Sequence, residues 1–261
     1  FGDPDSGLFF MRVEFETDTQ GQGQFGAPRD FEATTTFTDA DGTSEERSIR
    51  VNHPLETGDG TVFLLGNGYA PKITVRDGEG TVIYSDATPF LPQDNFYTSV
   101  GAVKVPGASP QQLGFAGFFL PTGIIDDQGP RSLFPDALDP QLALTAFEGD
   151  LFPSGRPQSV YSLDTEAMTA IPAEDGTDQL RILLRPGQTF ELPDGRGSIT
   201  FDEVQRFAGL SIRTDPGKSL TLVAALASLA GLVASLVIRR RRVFVRVGPG
   251  TEPGRTLVSV G

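Results

Sequence analysis

ITVRDGEGTVIYS, residues 73–85, sets two runs of β-branched and aromatic residues on either side of Asp77-Gly78-Glu79-Gly80. Asp-Gly favours the positive φ angles of tight turns, so the segment predicts a β-hairpin. The same punctuation recurs at Asp41-Gly42, Asp59-Gly60, Asp175-Gly176 and Asp194-Gly195. Between these turns apolar and polar residues alternate with the period of two that strands require. Phe9, Met11, Val13 and Phe15 alternate with Phe10, Arg12, Glu14 and Glu16; Phe31, Ala33, Thr35 and Phe37 alternate with Glu32, Thr34, Thr36 and Thr38. Further strands are predicted at 48–52, 61–65, 72–76, 81–85, 102–105, 179–185, 189–192, 198–201 and 210–213. The predicted fold class is mostly β, an antiparallel β-sandwich or open-barrel-like domain. Residues 107–157, rich in Gly and Pro, read as a long connection crossing the sheets, and 164–171 as a short helix capped by Asp164.

A different pattern starts after Lys218. Residues 219–238, SLTLVAALASLAGLVASLVI, carry no charge. As a helix at 1.5 Å per residue they are about 30 Å long, the thickness of a bilayer's hydrocarbon core. Arg239, Arg240, Arg241 and Arg242 follow the run and a single Lys218 precedes it. By the positive-inside rule the C-terminal end is then cytoplasmic. The expected organisation is an extracytoplasmic β-rich domain over 1–217, a transmembrane helix over 218–238 and a basic cytoplasmic tail over 239–261. Ala227, Gly231 and Ser235 recur every four residues, a small-residue face suited to close helix packing. FGDPDSG at the start is acidic and turn-like, unlike a signal peptide, so earlier membrane helices are expected upstream.

Charge and composition exclude several functions. The 261 residues carry a formal net charge of −13. Seven of the 21 Lys/Arg and one of the 34 acids lie from Lys218 onward, leaving 14 basic and 33 acidic residues before it, a net of −19. Such a surface repels phosphate backbones, which argues against nucleic-acid binding. With no cysteine, the chain has no disulfide, thiolate metal site or thioether attachment point. His53, in VNHPL, is the one histidine; as a haem or metal ligand it lacks a second His or Cys, and Pro54 holds it extended at a strand end or turn. The acid-rich stretches at Asp3, Asp5, Glu45-Glu46 and Asp126-Asp127 lack the Asp-x-Asp-x-Asp-Gly spacing of a calcium loop. Gly66-Asn67-Gly68 and Gly78-Glu79-Gly80 read as hairpin turns, not phosphate cradles. LGFAGFFL, 113–120, reads as core before bilayer or ligand contact.

Taken together and in order, VNHPL (51–55), FLLGNGYAPKITVRDGEG (63–80), PFLPQD (89–94), VKVPGA (103–108), LGFAGFFLPT (113–122), PQSVYSLDT (157–165), LRPGQTFELPDGRGSITFDEVQRFAGLSI (184–212), DPGK (215–218) and RRRRVFVRV (239–247) resemble the actinobacterial branch of the ResB family, also called CcsB. The resemblance covers nearly the whole chain and implies the part that follows a third membrane helix. It implies a subunit of the System II cytochrome c biogenesis machine, an accessory subunit and not an enzyme. Such a subunit pairs with a ResC (CcsA) membrane protein to carry haem across the membrane and attach it to the thiols of apocytochrome c. Haem is then handled by the complex, with none bound by this segment and no catalytic residue named in it. Two departures stand out: relatives often carry His where Asn67 stands, and some carry cysteines proposed to contact haem. The alternative from another class is a membrane-anchored binding or adhesion module; a cell-surface hydrolase lacks any acid–base constellation.

Overall fold

The computed structural model describes residues 9–17, 25–38, 42–57, 60–127, 129–153, 155, 158–173, 178–238, 242–250 and 254–261. It divides into two compact units, Phe1–Arg213 and Thr214–Gly261. The first unit is built of antiparallel sheets throughout. In chain order its strands are β1 (Phe9–Phe15), β2 (Pro28–Thr38), β3 (Ser44–Arg50), β4 (Leu55–Thr57), β5 (Gly60–Arg76), β6 (Val82–Ala87), β7 (Leu91–Pro92) and β8 (Ser99–Val105). They continue with β9 (Gln112–Leu120), β10 (Gly123–Asp126), β11 (Gly129–Ser132), β12 (Gln141–Gly149), β13 (Met168–Ala170), β14 (Arg181–Leu184), β15 (Gln188–Glu191) and β16 (Ser198–Arg213).

Two large sheets form the body. One runs β15-β16-β5-β4 with β6 also on β5; the other runs β13-β12-β9-β8-β7 with β14 also on β12. Their facing side chains make one core. Ile73, Val75, Ile199 and Phe201 come from the first sheet, and Val103, Val105, Phe115, Phe119, Leu142 and Leu144 from the second. This is the layering of a sandwich, in which each sheet hides its apolar face on the other. A third sheet, β1-β2-β3, has its own core of Met11, Ala33, Ile49 and Leu55, against which Val62, Leu64 and Ala208 of the β5–β16 ribbon pack.

The mostly β class and the 73–85 hairpin are as the sequence predicts. Asp77 closes that hairpin, its Oδ1 accepting from the Glu79 and Thr81 N–H groups at 2.9 Å, with Gly80 at φ +85°. Three expectations are corrected. Residues 107–157 are not a bare connection: they supply β9 and β12, central strands of the second sheet. Glycine reads there as loop, but Gly117 is a strand glycine in the narrow gap between β9 and β12, where a Cβ would lie 2.0 Å from the Ala143 carbonyl oxygen. LGFAGFFL is accordingly core, with Phe115, Phe119 and Leu120 fully buried. Gly66-Asn67-Gly68 is no turn. It lies mid-strand in the 17-residue β5, so 61–65 and 72–76 are one strand, as are 198–201 and 210–213 in β16. Residues 164–171 form no helix: Asp164 Oδ1 accepts the Glu166 N–H at 3.1 Å in a local turn, and the chain then enters β13. Of the Asp-Gly turns, Asp41, Asp59 and Asp175-Gly176 lie outside the described residues.

The second unit holds α1 (Lys218–Val237), 20 residues with no buried side chain, and a hairpin of β17 (Val245–Pro249) with β18 (Thr256–Val260). Asp215 Oδ1 accepts the Gly217 N–H at 3.2 Å just ahead of the helix. α1 is long and apolar enough to cross a membrane.

Candidate functional site

Arg206 on β16 faces Tyr69 on β5 as its direct cross-strand partner. Antiparallel partners project to the same side, so the guanidinium lies over the phenol ring, 4.3 Å from its centroid. Arg206 Nη2 donates to Tyr69 Oη at 2.5 Å and to Asp136 Oδ1 at 2.8 Å, and Tyr69 Oη donates to the Pro135 carbonyl at 2.8 Å. Phe15 of β1 lies 5.5 Å from the same guanidinium. One cation thereby joins β1, β5, β16 and the loop after β11. Its side chain is only 16% exposed, and Nη1 is buried with no hydrogen-bond partner among the described residues.

The rings around it form a continuous cluster. Tyr97 meets Tyr69 at 6.0 Å and Phe15 at 5.8 Å, and Phe119 meets Tyr69 at 5.0 Å. Tyr97 sits at φ +58°, a conformation a non-glycine residue adopts only when its surroundings enforce it. Asp94 does so: its Oδ1 accepts the Phe96 and Thr98 N–H groups at 2.9 and 3.0 Å. The Tyr97 hydroxyl then donates to Asn67 Oδ1 at 3.1 Å. Burial pushes the Tyr69 phenol well above the usual tyrosine range, with Arg206 opposing; burial also raises Tyr97, opposed by Asn67 and Arg206.

Two smaller polar clusters lie elsewhere on the same unit. Arg196 donates from Nε and Nη2 to Glu148 at 2.8 and 3.2 Å and from Nη1 to Asp194 at 2.6 Å, and its pKa rises through those bonds, Glu148 first. This cluster borders a recess of about 220 Å³ lined also by Ser109, Gln111 and Leu113. Lys104 donates to Gln158 Oε1 and the Ser159 carbonyl, each at 3.0 Å; burial lowers its pKa, with Asp164 opposing.

His53 is exposed in a tight turn whose ends, Arg50 and His53, exchange backbone hydrogen bonds of 3.0 and 3.1 Å. It joins none of these clusters. Haem iron is held by a His, Cys, Met or Tyr side chain beside an apolar slot. The recess near Arg196 is lined by none of these, and it is smaller than the ~300–1,000 Å³ of sites that enclose drug-sized ligands. That recess does not fit a resident haem. The described residues gather no three His, Cys, Asp or Glu side chains suited to a metal. What they build is a set of arginine-centred braces.

Ala227, Gly231 and Ser235 lie along one side of α1, and a Cβ on Gly231 would meet nothing within 4 Å. Arg242 is exposed; Arg239, Arg240 and Arg241 lie outside the described residues. The Arg206 cluster was not predicted. Its one signal is the pairing of an Arg among apolar neighbours, VQRFAG, with a Tyr in GNGYAP, visible only once the register is known.

A β-sandwich braced by half-buried arginines is joined in sequence to a helix long and apolar enough to cross a membrane. The chain belongs to the ResB-like family, which it matches over residues 5–261. No curated protein and no solved structure matches it. The family consists of membrane proteins with a role in cytochrome c biogenesis; it relates to haem handling, and its members are biogenesis subunits not known as catalytic enzymes.

Proposed function

We propose that this chain is the extracytoplasmic scaffold, a membrane crossing and the inner tail of a System II subunit. Residues 1–217 stand on the outer side, 218–238 cross the bilayer, and 239–261 lie in the cytoplasm. The scaffold positions a ResC/CcsA-type membrane partner, which delivers haem as cargo for attachment to apocytochrome c. The observation that carries this reading is the ResB-like match over residues 5–261. The arginine braces support it, because they stiffen a domain whose task is to hold a surface in place. Four arginines after the span and one lysine before it support the orientation. The face of Ala227, Gly231 and Ser235 is the proposed packing surface for a partner helix.

Co-purification of the full-length protein with its ResC/CcsA-type partner, followed by a haem spectrum, tests the assignment. A stable pair carrying haem is expected, and Gly231→Leu is expected to reduce partner recovery several-fold. Recovery of this subunit alone under conditions that keep the partner folded would contradict it.

A further inference from the structure

The β5–β16 ribbon continues past the sandwich, and its far end carries exposed apolar side chains. Leu65 and Ile212 are 74% and 75% exposed, and Phe63 and Leu210 are each 37% exposed. Ile212 pairs with Val62, Ser211 with Phe63 and Leu210 with Leu64; the register then shifts to pair Gly209 with Gly66. Leu65 is the residue left over, a bulge that aims its side chain away from the ladder. The β1-β2-β3 sheet packs on Val62 and Leu64; their β16 partners Ile212 and Leu210 share that face of the ribbon, yet Ile212, like Leu65, stays exposed.

The local sequence departs from its surroundings in the same place. Residues before Lys218 carry 47 charged groups in all, yet positions 60–71 and 207–212 carry none. The uncharged ribbon end is followed by Arg213, and five residues later by Lys218, the first residue of α1. At about 3.5 Å per residue, that link reaches no more than ~18 Å from the membrane-length helix. Long basic side chains suit headgroup depth, where their stems cover apolar surface and their charges meet lipid phosphate.

We infer that the end of the β5–β16 ribbon, through Phe63, Leu65, Leu210 and Ile212, seats on the lipid bilayer at the boundary between headgroups and acyl chains. The inference rests on α1 spanning that bilayer. Seating at two points, span and ribbon, fixes the height and tilt of the sandwich above the membrane, which a single flexible link leaves free.

The chain has no tryptophan, so one introduced indole reports a single position. The full chain, carrying L65W or F63W, is reconstituted in phosphatidylcholine–phosphatidylglycerol vesicles with brominated acyl chains. L229W, within α1, reports the span; L183W, at an exposed position of β14, reports the body of the domain. L65W and F63W are expected to lose emission about two-fold or more relative to unbrominated vesicles, as L229W does, while L183W is unchanged. If L229W is quenched and both ribbon positions are not, the ribbon does not touch lipid and the inference fails while the span stands. If L183W is quenched as strongly as L65W, the contact is not particular to the ribbon, and the inference also fails. If L229W itself is not quenched, the spanning helix falls and the inference with it.

Discussion

Arg206 holds its charge between the rings of Tyr69 and Phe15, with Asp136 as counter-ion. Removing it leaves a half-buried carboxylate unpaired and a phenol without its donor, so Arg206→Ala should cost about 2–4 kcal/mol in a denaturant titration. Arg206→Lys should recover only part of that, because an ammonium cannot reach both oxygens from a flat position over the ring. Tyr69→Phe should cost about 1 kcal/mol through the lost bond to the Pro135 carbonyl. The tyrosines also set a pH dependence. Burial raises Tyr69, Tyr84 and Tyr97, so the folded phenols keep their protons after the unfolded ones ionise. That stability is complete below the unfolded value of about 10 and is lost as pH rises from there toward the folded values. The melting temperature should fall above about pH 10, and Tyr69→Phe should make that fall shallower. None of this is legible in the sequence, because partners such as Arg206 and Tyr69 lie 137 positions apart and meet only through strand register.

Strands and helices were legible where their period was clean. The alternation of 9–16 and 31–38 appears in the structure as β1 and β2, with Met11 and Ala33 buried, and the uncharged run after Lys218 appears as α1. Two of the three misreadings share one cause, glycine inside a strand. Gly66-Asn67-Gly68 resembles a turn, yet Gly68 lies beneath the Phe207 ring, 2.5 Å from where a Cβ would sit. Gly101 and Gly117 are cross-strand partners in the second sheet, tucked against the Phe90 ring and the Ala143 backbone. Close backbone approach and turn geometry both select glycine, so composition alone does not separate them. Gly117→Ala should therefore destabilise by about 1–3 kcal/mol in thermal melts. Gly66→Ala, which would meet nothing within 4 Å, should change stability by less than about 0.5 kcal/mol. The proposed direction in which α1 crosses the membrane is testable because the chain lacks cysteine. A membrane-impermeant maleimide added to intact cells should label E46C and should label S259C only after permeabilisation; the reverse pattern would invert the proposed orientation.

At the scale of the molecule, a strongly acidic N-terminal segment and a basic tail flank a membrane-length run in the sequence, and a ResB-like match extends across all three. His53 is exposed and stands apart from the recess beside Arg196. His53→Ala should accordingly leave haem in the purified complex unchanged, read from the Soret band. The sandwich should be needed all the same. Replacing residues 1–213 of the full-length protein by a flexible linker, with expression and membrane insertion confirmed by immunoblot, and staining cell membranes for covalently bound haem puts that to the test. Loss of the stained c-type cytochromes to near background is expected. Normal staining with the sandwich gone would contradict its role as the scaffold of haem attachment.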